Sequence, residues 1–258
     1  MQNPAPETPS TATPRPDRVH REVVSFVRRS ARMNASQEKA WQAWHSSRVV
    51  PVAQGQTETS VAPQPPLDWA EVFGRRAPLL VEIGSGTGES LVSMARQHPQ
   101  ANVVAFEVFQ PAVASTLGRM AREGVDNVRI VMADGQQGLE HLFEPASISE
   151  LWLFFADPWH KSRHHKRRLV SPEFAQLVRS RLVTDGRWRL ATDWQDYAEW
   201  MREVLDAAPG LVNEHLDPAD PEHTGWAPRL ELRPLTKYER KGLAAGRTIR
   251  DLTYRKTS

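Results

Sequence analysis

Residues 79 to 107 constrain the fold of this chain more than any other stretch. Leu79-Leu80-Val81-Glu82-Ile83 runs directly into Gly84-Ser85-Gly86-Thr87-Gly88, and Glu107 answers it later. An apolar run with β-branched Val81 and Ile83 predicts a strand covered on both faces, as in a parallel sheet. Glycines at 84, 86 and 88 remove Cβ atoms that would keep a ligand from the backbone. From Glu89 to Gln97 the apolar residues Leu91, Val92, Met94 and Ala95 recur at helical spacing. The positive end of that helix would face the ligand. Val103-Val104-Ala105-Phe106 predicts a second strand ending at Glu107. Gly88 to Glu107 is about the 20-residue interval at which nucleotide-binding βαβ units set a carboxylate on a ribose diol.

This element alone leaves a dinucleotide, another adenosine cofactor or a purely structural turn open. The spacing is Gly-x-Gly-x-Gly with Glu82 two residues ahead, whereas the dinucleotide fingerprint is Gly-x-Gly-x-x-Gly. It resembles the first motif of the Rossmann-like S-adenosylmethionine (SAM) methyltransferases. Their cofactor has no pyrophosphate but carries an adenosine, an ammonium and a sulfonium, which acidic residues at strand ends suit.

A chain of 258 residues can bury one large α/β core with appendages, or at most two domains, and one core is the simpler reading. It has no Cys, which excludes a disulfide framework, a thiolate zinc site and a cysteine nucleophile. The first 20 residues hold five prolines and no apolar segment, so no secretory signal is expected there. No run is long enough to span a bilayer, and the expected location is cytoplasmic with no membrane partner. A net charge of +2 does not announce nucleic-acid binding, so the distribution of charge has to.

Residues 1–21, rich in Pro, Thr and Ala, are expected to be a disordered tail. Residues 22–66 read as a basic arm and linker: Arg28, Arg29 and Arg32 stand among apolar residues, and a short helix from Ser36 to Trp44 would be capped by Ser36. Pro51 to Pro66 reads as loop. The main domain is expected over 67–258. Beyond Glu107, helices are predicted at 111–123, 169–182 and 197–207, the second signalled by Ser171-Pro172. Strands are predicted at 128–133, 151–155, 188–192, 211–212 and 248–254. Strands separated by helices give a doubly wound, mostly parallel α/β sheet. Glu82, Glu107, Asp134, Asp157 and Asp193 all fall near the ends of these strands, the edge at which such sheets bind ligands.

The run Asp157-Pro158-Trp159-His160-Lys161-Ser162-Arg163-His164-His165-Lys166-Arg167-Arg168 leaves that same edge. Its cations suit phosphates and its indole suits an unstacked base. No acidic ligand spacing accompanies His160, His164 and His165, so no metal is expected.

With this run the chain resembles the bacterial tRNA (guanine-N7)-methyltransferases, the TrmB family, whose signature Asp-Pro-Trp-x-Lys-x-Arg-His-His-Lys-Arg-Arg matches Asp157 to Arg168. Further matches are Ser25-Phe26-Val27-Arg28-Arg29 with Arg32-Met33 and Gln37, the Glu82 to Gly88 turn, Ala191-Thr192-Asp193-Trp194, and Thr236 to Gly242. The family usually has Pro at the positions of Ala156 and His160, and Lys at that of Ser162. The resemblance implies a Rossmann-like SAM-dependent methyltransferase fold and transfer of a methyl group to N7 of guanine 46 in the variable loop of tRNA. It implies that Glu82, Gly84, Gly86, Gly88, Glu107, Asp134 and Asp157 hold SAM, with Glu107 on the ribose hydroxyls and Asp134 near the adenine amino group. Asp157 would be the catalytic aspartate. Lys161, Asp193, Thr236, Lys237, Tyr238 and Glu239 would hold substrate, and Arg163, His164, His165, Lys166, Arg167 and Arg168 would touch RNA. Two other classes remain: an RNA-binding protein without catalysis, against which the glycines and Glu107 speak, and a small-molecule methyltransferase, against which the basic loop speaks.

Overall fold

The computed structural model describes residues 32–258. The expected tail and the Ser25 to Arg29 match lie outside these residues. The first strand, β1 (Leu79–Ile83), sits near the middle of a seven-stranded sheet with β2 (Asn102–Phe106), β3 (Val128–Val131), β4 (Ile148–Phe154), β5 (Leu182–Thr192), β6 (Leu211–Asn213) and β7 (Arg250–Lys256). Their order is β3-β2-β1-β4-β5-β7-β6. Neighbours from β3 to β5 run parallel, and β7 is antiparallel to both β5 and β6. Strand order reverses between β1 and β4, which is where an open α/β sheet forms its ligand crevice.

Period-two alternation explains how both faces are covered. Val81 and Ile83 join one core with α5 (Gly135–Leu142), α6 (Pro172–Arg181) and α7 (Gln195–Asp206). Leu80, on the opposite face, joins the other with α3 (Glu89–Gln97) and α4 (Gln110–Glu123). Each fully buried Val or Leu in these layers contributes about 1.5–3 kcal/mol.

The helix expected from Ser36 is instead α1 (Ala35–Arg48), with Asn34 as its cap in a reciprocal bond pair with Gln37. It packs on α4, where Gln37 Nε2 donates to Pro111 O and Ser115 Oγ at 2.9 and 3.0 Å. The stretch read as linker lies against the sheet: Val50 N donates to Ile130 O at 2.8 Å, and Val61 is buried. A short α2 (Trp69–Phe73) follows, and α8 (Lys237–Ala244) precedes the last strand. Neither α5 nor α8 was among the expected helices. Strand β5 begins at Leu182, six residues earlier than expected, with a register shift against β4 between Ile148 and Glu150. Among the described residues, no helix is long and apolar enough to cross a membrane.

Candidate active site

A cavity of about 770 Å³ opens at the carboxyl ends of β1, β2 and β4. Its wall includes Glu82, the 84–87 turn, Glu107, Phe155 to Asp157, Trp159, Thr236 and Tyr238. Gly84 and Gly86 have φ of 75° and 54°, and a Cβ on either would meet nothing within 4 Å. A left-handed backbone facing open space lets a ligand lie along it. Gly88 serves another purpose: a Cβ there would meet the Thr116 side chain at 2.7 Å, so its missing side chain lets α3 pack on α4.

Glu107 ties the end of β2 to the turn. Its Oε2 accepts from Gly86 N at 2.8 Å, and its Oε1 accepts from Val108 N and Phe109 N at 2.8 and 2.9 Å. Asp134 caps α5, accepting from Gln136 N and Gln137 N at 3.0 and 3.1 Å, and is buried outside the cavity wall.

Glu82 is the anomaly of the floor. It is 3% exposed inside an apolar strand, and its Oε2 has no hydrogen-bond partner. Burial, then the charge of Glu107, pushes its carboxyl up to about 8. Ser85 Oγ, also buried and on the same wall, is unpartnered too. Orphaned polar groups are costly in a protein's interior. An unpartnered carboxyl oxygen and hydroxyl on residues of one cavity wall suit a ligand with a cationic, hydrogen-bonding end. The ammonium of SAM has that chemistry, so these residues fit the group expected from the sequence.

Asp157 also lines the cavity and is exposed, between two residues with left-handed backbone, Phe155 at φ 54° and Trp159 at φ 48°. Such aromatic residues adopt this conformation only when their surroundings enforce it. The Arg233 guanidinium lies over the Phe155 ring, and Arg168 ties down the loop beside Trp159. Arg168 donates from Nε to Pro158 O at 3.0 Å, pairs with Asp196, and covers the Tyr197 ring with its guanidinium at 5.0 Å. Where the family usually has Pro, His160 packs its ring on Trp194 with centroids 4.0 Å apart.

Residues Ser162–Arg167 form a 3-10 turn, with Arg163, Lys166 and Arg167 exposed. Arg167 covers the Trp159 ring at 4.9 Å. Desolvation, followed by Arg167, Arg163, Lys161 and Lys166, holds His164 below the usual imidazole range. The expectation that Arg168 meets RNA beside them does not fit its burial, since its side chain is 3% exposed and spent on the loop itself.

The Thr236 to Gly242 match forms the start of α8. Thr236 Oγ1 accepts from Glu239 N at 3.2 Å and Tyr238 is 69% exposed at the cavity mouth. Glu239 faces inward, accepting from Arg229 at 2.6 and 3.1 Å and from Arg233 at 3.3 Å. Burial works against its charge, but these guanidinium partners hold its carboxyl below the usual range. Arg233 is fully buried, bonds Asp251 at 2.5 and 3.1 Å, and lies over the rings of Phe154 and Phe155. Asp193 pairs with Arg247 at 2.8 Å.

Of the expected site residues, Glu82, Gly84, Gly86, Glu107, Asp157, Thr236 and Tyr238 share the cavity wall. Gly88, Asp134, Lys161, Asp193, Lys237, Glu239 and the 163–168 run do not line it. Ser85 and Glu89 line it and were not singled out, although both lie within or beside the glycine motif. Nothing in the sequence marked Arg233.

Comparisons with known proteins agree with this geometry. A family model described as "Putative methyltransferase" matches residues 76–252. Among solved structures, the 16S rRNA methyltransferase KamB shares the fold at a TM-score of 0.52 and 18% identity, covering 81% of this chain and 100% of that one. The tRNA (guanine-N(7)-)-methyltransferase of Cutibacterium acnes is 54% identical over 93% of this chain and 85% of its own length. That of Nocardioides sp. is 48% identical over 92% and 88%, and that of Aeromonas hydrophila 43% over 92% and 94%. At that identity over nearly the whole length, and with the glycine turn and the Asp157 loop on one cavity, the chain belongs to the tRNA (guanine-N7-)-methyltransferase family.

Proposed function

We propose that this protein methylates N7 of guanine in tRNA, at position 46 of the variable loop, in the cytoplasm and with SAM as donor. The observation that carries the reading is one cavity holding an orphaned buried carboxyl group, a left-handed glycine turn and an aspartate from which a basic loop departs. When bound, SAM supplies an electrophilic methyl whose bond to sulfur breaks as guanine N7 forms its own. Glu82 binds the ammonium end. Glu107 would hold the ribose diol while its backbone bonds keep the turn in shape, and Asp134, which closes the start of α5, would serve the adenine.

N7 carries a free lone pair at neutral pH, so no residue has to remove a proton from it. Placement supplies most of the catalysis, an advantage of up to about 7–11 kcal/mol in the best intramolecular cases. Asp157 and Asp193 accept from the N1–H and N2–H2 edge of guanine, which adenine does not offer. Asp157 also favours the positive charge that methylation leaves on the ring. Lys161 and the start of α8, Thr236 to Glu239, close around the substrate, with Glu239 acting from inside its arginine pairs. Arg163, Lys166 and Arg167, with His164 and His165, face the RNA, while Arg168 holds the loop.

Incubation of purified protein with unmodified tRNA and SAM is expected to give 7-methylguanosine at position 46 and none in a tRNA with adenine there. Methylation of other guanines alone would overturn the assignment. Replacing Arg163, Lys166 and Arg167 with Gln is expected to weaken tRNA binding and to flatten its log–log salt slope by about 0.7–0.9 per lost contact. SAM affinity should hold. An unaltered slope would make the run a solvated face. Arg168→Gln should lower thermal stability, because it removes a buried guanidinium that holds the Pro158 carbonyl and packs on the Tyr197 ring.

A further inference from the structure

Glu89 is the first residue of α3, directly after the glycine turn, and it lines the cavity. Its carboxylate does not serve α3 alone. Across 148 residues of sequence, Oε2 accepts from the backbone N–H of Lys237 at 2.7 Å, and Oε1 lies 3.5 Å from the Arg240 guanidinium. Lys237 is the first residue of α8, where an amide has no partner within its own helix. One carboxylate therefore sits at the positive ends of two helices, one leaving the glycine turn and one carrying Thr236 and Tyr238 to the cavity mouth.

We infer that Glu89 is a positioning residue that fixes the start of α8 against the glycine turn, and so sets where the substrate-holding segment stands relative to the donor. This rests on the functional reading above. Thr236 caps only the amide of Glu239, so it does not replace Glu89 at Lys237. The segment before α8 is held independently: Gln97 Nε2 donates to Leu232 O at 3.0 Å, and Arg233 is locked to Asp251. Removing Glu89 thus releases the Lys237 amide and the Arg240 contact at the start of α8, while Glu239 and its arginine pairs keep the helix attached. Small displacements of a positioned group cost rate more than binding, because tRNA affinity comes chiefly from phosphate contacts elsewhere.

The test compares Glu89→Ala with Glu89→Gln, whose amide oxygen still accepts from Lys237 N–H. Glu89→Ala is expected to lower kcat about tenfold while KM for tRNA and for SAM changes less than threefold. Glu89→Gln should restore most of the rate. Hydrogen exchange at the Lys237 amide, read without any substrate, should quicken about tenfold in Glu89→Ala and stay near wild type in Glu89→Gln. Unchanged exchange in Glu89→Ala, or a wild-type kcat, would overturn the inference. So would a loss of SAM affinity and melting temperature matching the loss of rate, which is what a merely structural role produces. A wild-type protein inert on tRNA would sink the functional reading instead, with the exchange comparison still deciding whether Glu89 holds α8.

Discussion

Asp157→Asn is expected to lower single-turnover methyl transfer by about 100-fold or more, the size found for other electrostatic contacts to developing charge. The fold should survive, because Asp157 is exposed and the loop around it is held by Arg168 and the His160 and Trp194 rings. Most tRNA affinity should survive too, since the phosphate contacts proposed above fall to Arg163, Lys166 and Arg167. The amide keeps the shape but presents a neutral oxygen and an NH2 donor to the guanine edge. Rapid-quench measurement with both ligands saturating checks this. Transfer at the wild-type rate would reduce Asp157 to a loop residue.

Glu82→Gln should act on both binding and stability, through one carboxyl raised from 4.5 to about 8 by burial and by Glu107. The folded state holds this proton more tightly than the unfolded chain does. Stability from the bound proton is therefore full below pH 4.5 and is lost as the pH rises through 8. Over those 3.5 units the swing is about 5 kcal/mol at most. Glu82→Gln removes that titration, so thermal melts of the variant should lose less stability than wild type between pH 5 and pH 8. Cofactor binding should respond in the opposite sense. A cationic ligand needs the carboxylate, so wild-type affinity for S-adenosylhomocysteine should climb by up to tenfold per pH unit from about 6 to 8. In Glu82→Gln it should be flat and weaker by about tenfold to 100-fold, the range for one charge-assisted bond. A wild-type affinity that ignores pH over this range would take the ammonium away from Glu82.

The local pattern of β1, the glycine turn and α3 was fully legible in the sequence, and the structure places β1 and α3 at the predicted bounds. The signals there are short-range: an apolar run, left-handed turn residues and a helical period. The acidic residues near the strand ends were legible for the same reason, since strand and turn each declare themselves locally. Helix α5 was not. Glycine is a poor helix former, yet Gly135 and Gly138 lie in α5, where an added Cβ would be 2.5 Å from Ile83 and 2.1 Å from Phe106, so they serve close packing of a helix on the sheet. A single sequence cannot separate a glycine needed for a turn from one needed for contact.

The charged residues divide in the same way. As sequence, Arg167 and Arg168 are equivalent. In the structure Arg167 is exposed over Trp159, whereas Arg168 is buried against Pro158, Asp196 and Tyr197. Glu239 reads as a ligand-holding carboxylate, yet its direct partners are Arg229 and Arg233, and Arg233 carried no signal at all. Composition and spacing by themselves determined the chemistry available: a carboxylate-edged nucleotide turn, an aspartate and a basic aromatic loop on one sheet edge. Only the tertiary structure decided which charges are spent inside and which face a ligand, because burial and pairing depend on elements that meet from distant parts of the chain. The joining of Glu89 to Lys237 across 148 residues is such a meeting, and nothing local to either residue encodes it.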